Sequence, residues 1–409
     1  MTSTIGIKKI QHTNGTQVMT FDTAGKISSD VSSTGNITTT GTVNTSSING
    51  GQIGGRRNII INGAMQIAQR ATSASSKTTQ GYHAVDRFDQ NIATMGTYTI
   101  SQSTTVPTGE GFANSLKIDC TTADASPASG DVLSIRQRIE ARNLQHLNFG
   151  SSSSKAITLT FHVRSNKTGT YVCNAYLADA GKQWGKTYTI SSANTWEKKT
   201  ITWESSSNSS TINNDNGDGI ILTWYLGTGS GRTTGSAQTD WTTYALADEA
   251  VGQTVNIADN TANEFYITGV QLEVGEQATS FEHRSYGEEL QLCQRYFEIM
   301  FRGSNAQNGT QKTTVGAGVW YGANQVLATM LYSPKRAQPT ITQSETGALG
   351  AYGNAYFRTS TDSTPFDSIT ETGCRLNIES FNASGTAGDG VFAMLVNPNS
   401  SSVSIDAEL

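Results

Sequence analysis

Between residues 97 and 275 apolar and polar residues alternate one by one, in short runs, again and again. In the run 156–165, Ile157, Leu159, Phe161 and Val163 fall on one side, while Thr158, Thr160, His162 and Arg164 fall on the other. A period of two sends successive side chains to opposite faces of an extended chain, so each run is a strand with one face buried. Similar runs lie at 97–103, 114–120, 169–178, 186–191, 198–205, 218–227 and 263–275. Strands at short intervals with turn-rich connections predict a β-sandwich, and a two-sheet jelly roll fits best. The expected fold class is therefore all-β.

Composition agrees. Hydrophobic residues make up 35 % of the 409-residue chain and charged residues 15 %, against about 45–50 % and about 25 % in an average globular protein. Ser, Thr, Asn and Gly fill the difference, and Thr suits a half-exposed pleated surface. The net charge of −5 gives no basic field for nucleic acid. There is no apolar run long enough to span a bilayer, and MTSTIGIKKIQ lacks the apolar core of a secretory signal. Synthesis and assembly in a cytoplasm are expected. Cys120, Cys173, Cys293 and Cys374 are too far apart in sequence to read as a metal or redox pair, so they are expected to be buried, reduced thiols.

Residues 1–54 follow a different rule. Ile37, Val43, Ile48 and Ile53 stand singly, five or six positions apart, among Gly, Ser, Thr and Asn. One apolar residue per turn cannot build a core within one chain. Three chains wound together could bury a ring of three at each level. These four residues predict a slender trimeric shaft, with a flexible Ser/Gly linker as the alternative. Upstream, Ile5, Ile7, Ile10, Val18 and Phe21 flank an Asn14–Gly15 turn signal and predict a short hairpin for attachment. At 285–300, Ser285 with Glu288 forms a capping box, and Leu290, Cys293 and Phe297 form one apolar stripe; a connecting helix is expected there. A brief helix or turn is expected at 143–147. Residues 301–409 return to strand patterning and predict a smaller β-sandwich at the tip.

Five stretches carry a family resemblance. ITGVQLEVGEQATSFEHRSYGEELQLCQRYFE (267–298) resembles a segment that recurs in phage tail-fibre and tail-appendage proteins, marine phages above all. RNIIINGAMQIAQRATS with YHAVDRF (57–73 and 82–88) is similar to the opening of the same module. YSPKRAQPTIT (332–342) and the terminal DAEL (406–409) are similar to the family's C-terminal domain. The resemblance implies an elongated homotrimeric fibre with a carbohydrate-binding-like jelly-roll body at 55–284. It implies docking on phage tail or adaptor proteins through the N-terminus.

No catalytic motif is present: no G-x-S-x-G elbow, no HExxH, no phosphate loop, no paired CxxC. Beside His283 stands Glu282, which suggests base chemistry; the structural alternative has Glu282, His283 and Arg284 tying the last strand to the helix. Asp86 with Asp89, or Asp248 with Glu249, could serve glycoside hydrolysis only if held about 5–10 Å apart across a sugar. The NNDNGDG loop (213–219) offers oxygen ligands without the closing Glu of a calcium loop, and reads as an exposed turn. No cofactor and no metal are expected.

Sugar binding needs aromatic faces flanked by amides and hydroxyls. Trp184, set between Gly181 and Gly185, is the candidate in the body. Trp320, Tyr321, Tyr352, Tyr356 and Phe357 are the candidates at the tip. The reading is a non-enzymatic virion appendage binding host cell-surface polysaccharide. A purely structural capsid fibre or tail-assembly protein is the alternative, and a polysaccharide depolymerase is the third reading.

Overall fold

Alternation decides the elements. In the computed structural model, which describes residues 9–11, 17–20, 56–205, 210–302, 314–354, 356–395 and 401–409, nearly every regular element is an antiparallel strand. Two six-stranded sheets face each other in the body. Sheet A runs, edge to edge, through Thr242–Thr243, Lys182–Ile190, Gly169–Leu177, Asp218–Thr228, Val132–Glu140 and Phe88–Ala93. Sheet B runs through Glu197–Trp203, Ile157–Ser165, Glu264–Val274, Ser115–Thr122, Thr97–Ser103 and Ser73–Lys77. Ile157, Leu159, Phe161 and Val163 do point together into the core, where they meet Tyr171, Trp203, Trp224 and Phe265. The expected all-β jelly-roll sandwich is the observed one.

Two further sheets enclose a second core. A seven-stranded sheet runs through Tyr356–Thr359, Leu349–Gly353, Gly390–Leu395, Thr314–Gly322, Gln325–Leu331, Gly373–Ile378 and Phe366–Asp367. It packs on a three-stranded sheet of Phe297–Arg302, Ser402–Asp406 and Thr340–Gln343.

At the N-terminus, described by itself, Lys9–Gln11 and Gln17–Thr20 pair antiparallel with Ile10 opposite Met19, as the hairpin reading expects. The shaft residues Ile37, Val43, Ile48 and Ile53 lie outside the described residues.

The connecting helix needs correction. It spans Tyr286–Gln294, where 285–300 was expected, and Phe297–Arg302 is a strand paired with Ser402–Asp406. Ser285 caps it as the sequence implies, accepting the Glu288 N–H at 3.3 Å. Its C-terminal half is lost because the open edge of the C-terminal strand offers Phe297 and its followers a ladder of backbone partners. The short turn at 143–147 belongs to a 3₁₀ helix, Ala141–Leu147.

Candidate functional site

The family-like stretches, scattered in sequence, converge into one joint. The strand Glu264–Val274 carries a β-bulge at Gly269, whose φ of 61° suits glycine. Next to the bulge the lead-in segment pairs with the strand: Val270 N donates to Gly63 O at 2.9 Å, and Ile59 N to Leu272 O at 2.8 Å. Glu282 accepts the backbone N–H groups of Arg57 and Asn58 at 3.1 and 2.8 Å. Arg284, its side chain 4 % exposed, donates to the carbonyls of Ile60 and Asn58 and reaches Glu289. Burial opposes the charge on Glu282, but the two N–H groups and Arg284 outweigh it and hold the carboxyl below its ordinary value.

The joint continues into the tip. Arg295 and the Tyr296 hydroxyl both donate to Glu140, whose carboxyl is also held low by them against the effect of burial. Arg87 is fully buried beneath Tyr296, 3.6 Å from its ring centroid, and pairs with Glu408 of the terminal DAEL. Arg336 donates to the carbonyls of Ala407 and Glu408 at 2.6 and 2.7 Å. These residues form architecture, as the structural reading of Glu282 and Arg284 expects. His283 is placed differently: its ring packs on Phe281 and Phe112.

The outer face of sheet A carries a cleft. After the strand Asp218–Thr228 the chain folds back across this face as residues 229–256. It is held there by Gln183 Nε2 to Ala245 O at 2.7 Å and by Asn174 Nδ2 to Glu249 O at 3.2 Å. Its Ala250 packs with Val132, Val172 and Tyr225 of the sheet beneath. What remains open is a cleft of about 460 Å³ floored by Arg136, Asn174, Tyr176 and Thr223 and walled by Tyr244, Leu246 and Glu249. Tyr244 is 41 % exposed and meets Tyr176 edge to face at 5.2 Å. Its hydroxyl donates to Glu249 at 2.9 Å; burial and that carboxylate push it up to about 12. Arg232 pairs with the same Glu249, and Arg136 grips Asp89 through Nε at 3.1 Å. Three tyrosine rings (Tyr176, Tyr225 and Tyr244), the amides of Asn91, Asn174 and Gln183, the Thr223 hydroxyl, the Arg232–Glu249 ion pair and Arg136, neutralised by Asp89, line the hollow. Its volume falls in the range of small-ligand sites, roughly 300–1,000 Å³.

The nominated aromatics divide. Trp184 is 4 % exposed: its Nε1 donates to Gln238 O, Trp241 packs on it, and the Lys186 ammonium lies 4.0 Å from its ring centroid. It is among the residues that line a neighbouring hollow of about 500 Å³. Trp320 is 2 % exposed in the tip core against Phe381. Neither presents a face to a sugar, because Trp241 and Lys186 cover Trp184 and Phe381 covers Trp320. Tyr321, Tyr352 and Tyr356 are exposed and Phe357 is half-buried. None of the tip aromatics lines the cleft. Tyr176 and Tyr244 were missed by the sequence reading; the signal for Tyr176 was its outward register beside Ala175 and Leu177, and Tyr244 had none.

The acid pairs are all engaged. Asp86 is buried and accepts from Gln69, Asp89 is taken by Arg136, Asp248 accepts the Ser236 N–H, and Glu249 holds Arg232. In the 213–219 loop Asp215 caps its own turn, and Asn216 exchanges hydrogen bonds with Arg336. The four cysteines are buried and free, as expected.

No family model matches the chain, and no curated protein matches it. Solved structures do. A tailspike enzymatic domain of bacteriophage CBA120 aligns at 13 % identity over 53 % of this chain and 21 % of its own, with a TM-score of 0.28. A putative sugar-binding protein from Bacteroides thetaiotaomicron aligns at 15 % identity over 53 % of this chain and 100 % of its own, TM-score 0.30. A family 11 carbohydrate-binding module from Clostridium thermocellum, in complex with a mixed-linked tetrasaccharide, aligns at 9 % over 52 % and 99 %, TM-score 0.23. The chain thus spans about a fifth of the tailspike domain it matches. Likenesses at this level carry no argument about ligand or role.

Proposed function

We propose that this chain is a phage tail fibre or related virion appendage that adheres to a cell-surface glycan through the cleft on sheet A. The observation that carries the ligand class is the cleft's lining: the Tyr176 and Tyr244 rings beside Asn174, Thr223 and two self-neutralised ion pairs. Rings of this kind cover the apolar side of a pyranose, and amide and hydroxyl groups read its edges. A neutral lining favours a neutral sugar over a polyanion. The resemblance of residues 57–88, 267–298, 332–342 and 406–409 to tail-fibre proteins supports the virion setting.

In this reading the protein works as a homotrimer, assembled in the host cytoplasm and docked on the tail through its N-terminus. It holds polysaccharide without cleaving it, since the carboxylates around the cleft are committed to Arg136, Arg232 and backbone donors. Single sites are weak and reversible. Several sites on one particle raise avidity by ~10²–10⁴ where the geometry lets them engage together.

The test is binding of the full chain to purified host envelope polysaccharide by calorimetry. Tyr244→Ala should weaken binding by about tenfold, the worth of one well-packed aromatic contact, and Tyr176→Ala by a similar factor. Equal affinity of both folded variants and the parent would refute the site. Release of reducing ends from the polysaccharide would refute adhesion without cleavage.

A further inference from the structure

The seven-stranded sheet has a second face, and its register says what stands there. Phe357 pairs with Tyr352, Tyr352 with Phe392, Phe392 with Ala317, and Ala317 with Thr329. Directly paired residues share a face, so one row crosses five strands with three aromatic rings side by side. Val319 and Leu331, two positions on from Ala317 and Thr329, stand on the same face. Tyr352, Phe392, Val319 and Leu331 are 42 %, 51 %, 43 % and 70 % exposed. The opposite face is already spent on the tip core, where Trp320, Val326, Met330, Leu376 and Ala393 are buried.

We propose that this row is the surface by which the tips of neighbouring copies of the chain pack together. The inference rests on the trimer in the reading above. Three features select a second copy as the occupant. The first is chemistry. Along the row the polar groups are the hydroxyls of Tyr352 and Thr329; Asn377 is bonded to Gln325, and Arg375 is neutralised by Asp367 at the sheet edge at 2.7 and 2.8 Å. Among the described residues the row offers a sugar two hydroxyls and no amide. The second is the absence of net charge on the row, which gives a foreign protein nothing to recognise. The third is area. At about 150–250 Å² per large ring, the exposed fractions leave on the order of 400 Å² of apolar surface. That lies within the ~300–600 Å² of the largest apolar patch on an ordinary monomer, a patch that is often functional, and is about half of what one side of a stable free-standing interface buries.

A surface of that size holds only a partner that is already close. Copies joined through residues 1–54 meet that condition, because tethering replaces free diffusion with a local concentration in the millimolar range. A shaft built on Ile37, Val43, Ile48 and Ile53, as the trimer reading has it, would supply that tether.

The experiment uses the full chain with one added cysteine on the row, Ala317→Cys, and separately Thr329→Cys. Each is spin-labelled while the four native thiols stay buried. Pulsed dipolar spectroscopy should give inter-subunit distances within about 30 Å at both sites, since sheets packed face to face lie about 10 Å apart. Adding Phe392→Asp should abolish these distances. Light scattering is run on the same samples. A trimer with no inter-subunit distance at either site overturns the inference and leaves the trimer reading standing. A monomer at micromolar concentration overturns both. Persistence of the distances in Phe392→Asp also overturns it, because the row would then not form the contact. So would a loss of cell adsorption with distances unchanged, which would make the row a receptor surface.

Discussion

Replacing Arg284 with Met tests whether the Glu282–His283–Arg284 stretch is architecture. Methionine keeps most of the apolar stem and removes the guanidinium. The guanidinium serves four acceptors: the carbonyls of Asn58 and Ile60, the latter at 3.0 Å, and the carboxylates of Glu282 and Glu289, both at 3.3 Å. The carboxylates keep backbone donors, Glu282 from Arg57 and Asn58 and Glu289 from Asn62. The two carbonyls lose a charged donor each. With hydrogen bonds to charged groups worth about 1.5–3 kcal/mol, and broken buried pairs costing about 3–5 kcal/mol, the loss is about 3–4 kcal/mol. The side chain is 4 % exposed, so solvent screening does little to reduce that figure. At about 2–4 °C per kcal/mol, the melting temperature should fall by at least about 6 °C in differential scanning calorimetry. Glycan affinity measured well below the transition should be unchanged. A fall of less than about 2 °C would refute the argument that this stretch joins the lead-in segment to the helix.

Other perturbations probe the same molecule. Gly63→Ala should destabilise by about 1–3 kcal/mol, because a Cβ there would sit 2.0 Å from the Val270 carbonyl oxygen; unchanged denaturant midpoints would contradict the close approach. Acidification should weaken the joint. Glu140 and Glu282 titrate below their unfolded values, so their contribution is present above about pH 4.3 and is lost as pH falls through the depressed folded values. Melting temperature should hold near pH 5 and drop steeply by pH 3, and Arg295→Met should shrink that drop. Burial pushes the Cys120 thiol up to about 11 and the Cys374 thiol up to about 12. Thiol reagents at pH 8 should therefore leave the native protein unlabelled and modify four cysteines after denaturation; rapid native labelling would contradict their burial.

Much of the body was legible because a strand announces itself locally. The runs at 97–103, 156–165 and 218–227 needed only their own alternation, and Ser285 with Glu288 announced the start of the helix. The strand Val132–Glu140 was passed over because its inward Gln137, which donates to Ile61 O at 3.1 Å, interrupts the apolar side. The end of the helix was misplaced because the competing partner of Phe297–Arg302 lies a hundred residues away in sequence.

Sequence alone determined the fold class and, in runs such as 156–165, the inward set of the strand, because side-chain direction along a strand follows from period two. It could not say which aromatic would keep an open face. Trp184 and Trp320 have glycines nearby in sequence, yet Trp241, Phe381 and Gly385 close over them from elsewhere in the chain, and Lys186 of the same strand adds its ammonium to Trp184. Tyr176 and Tyr244 are 68 residues apart in sequence and meet only because residues 229–256 fold back across sheet A. Exposure depends on what packs on a residue's far side, and that neighbour is a tertiary fact.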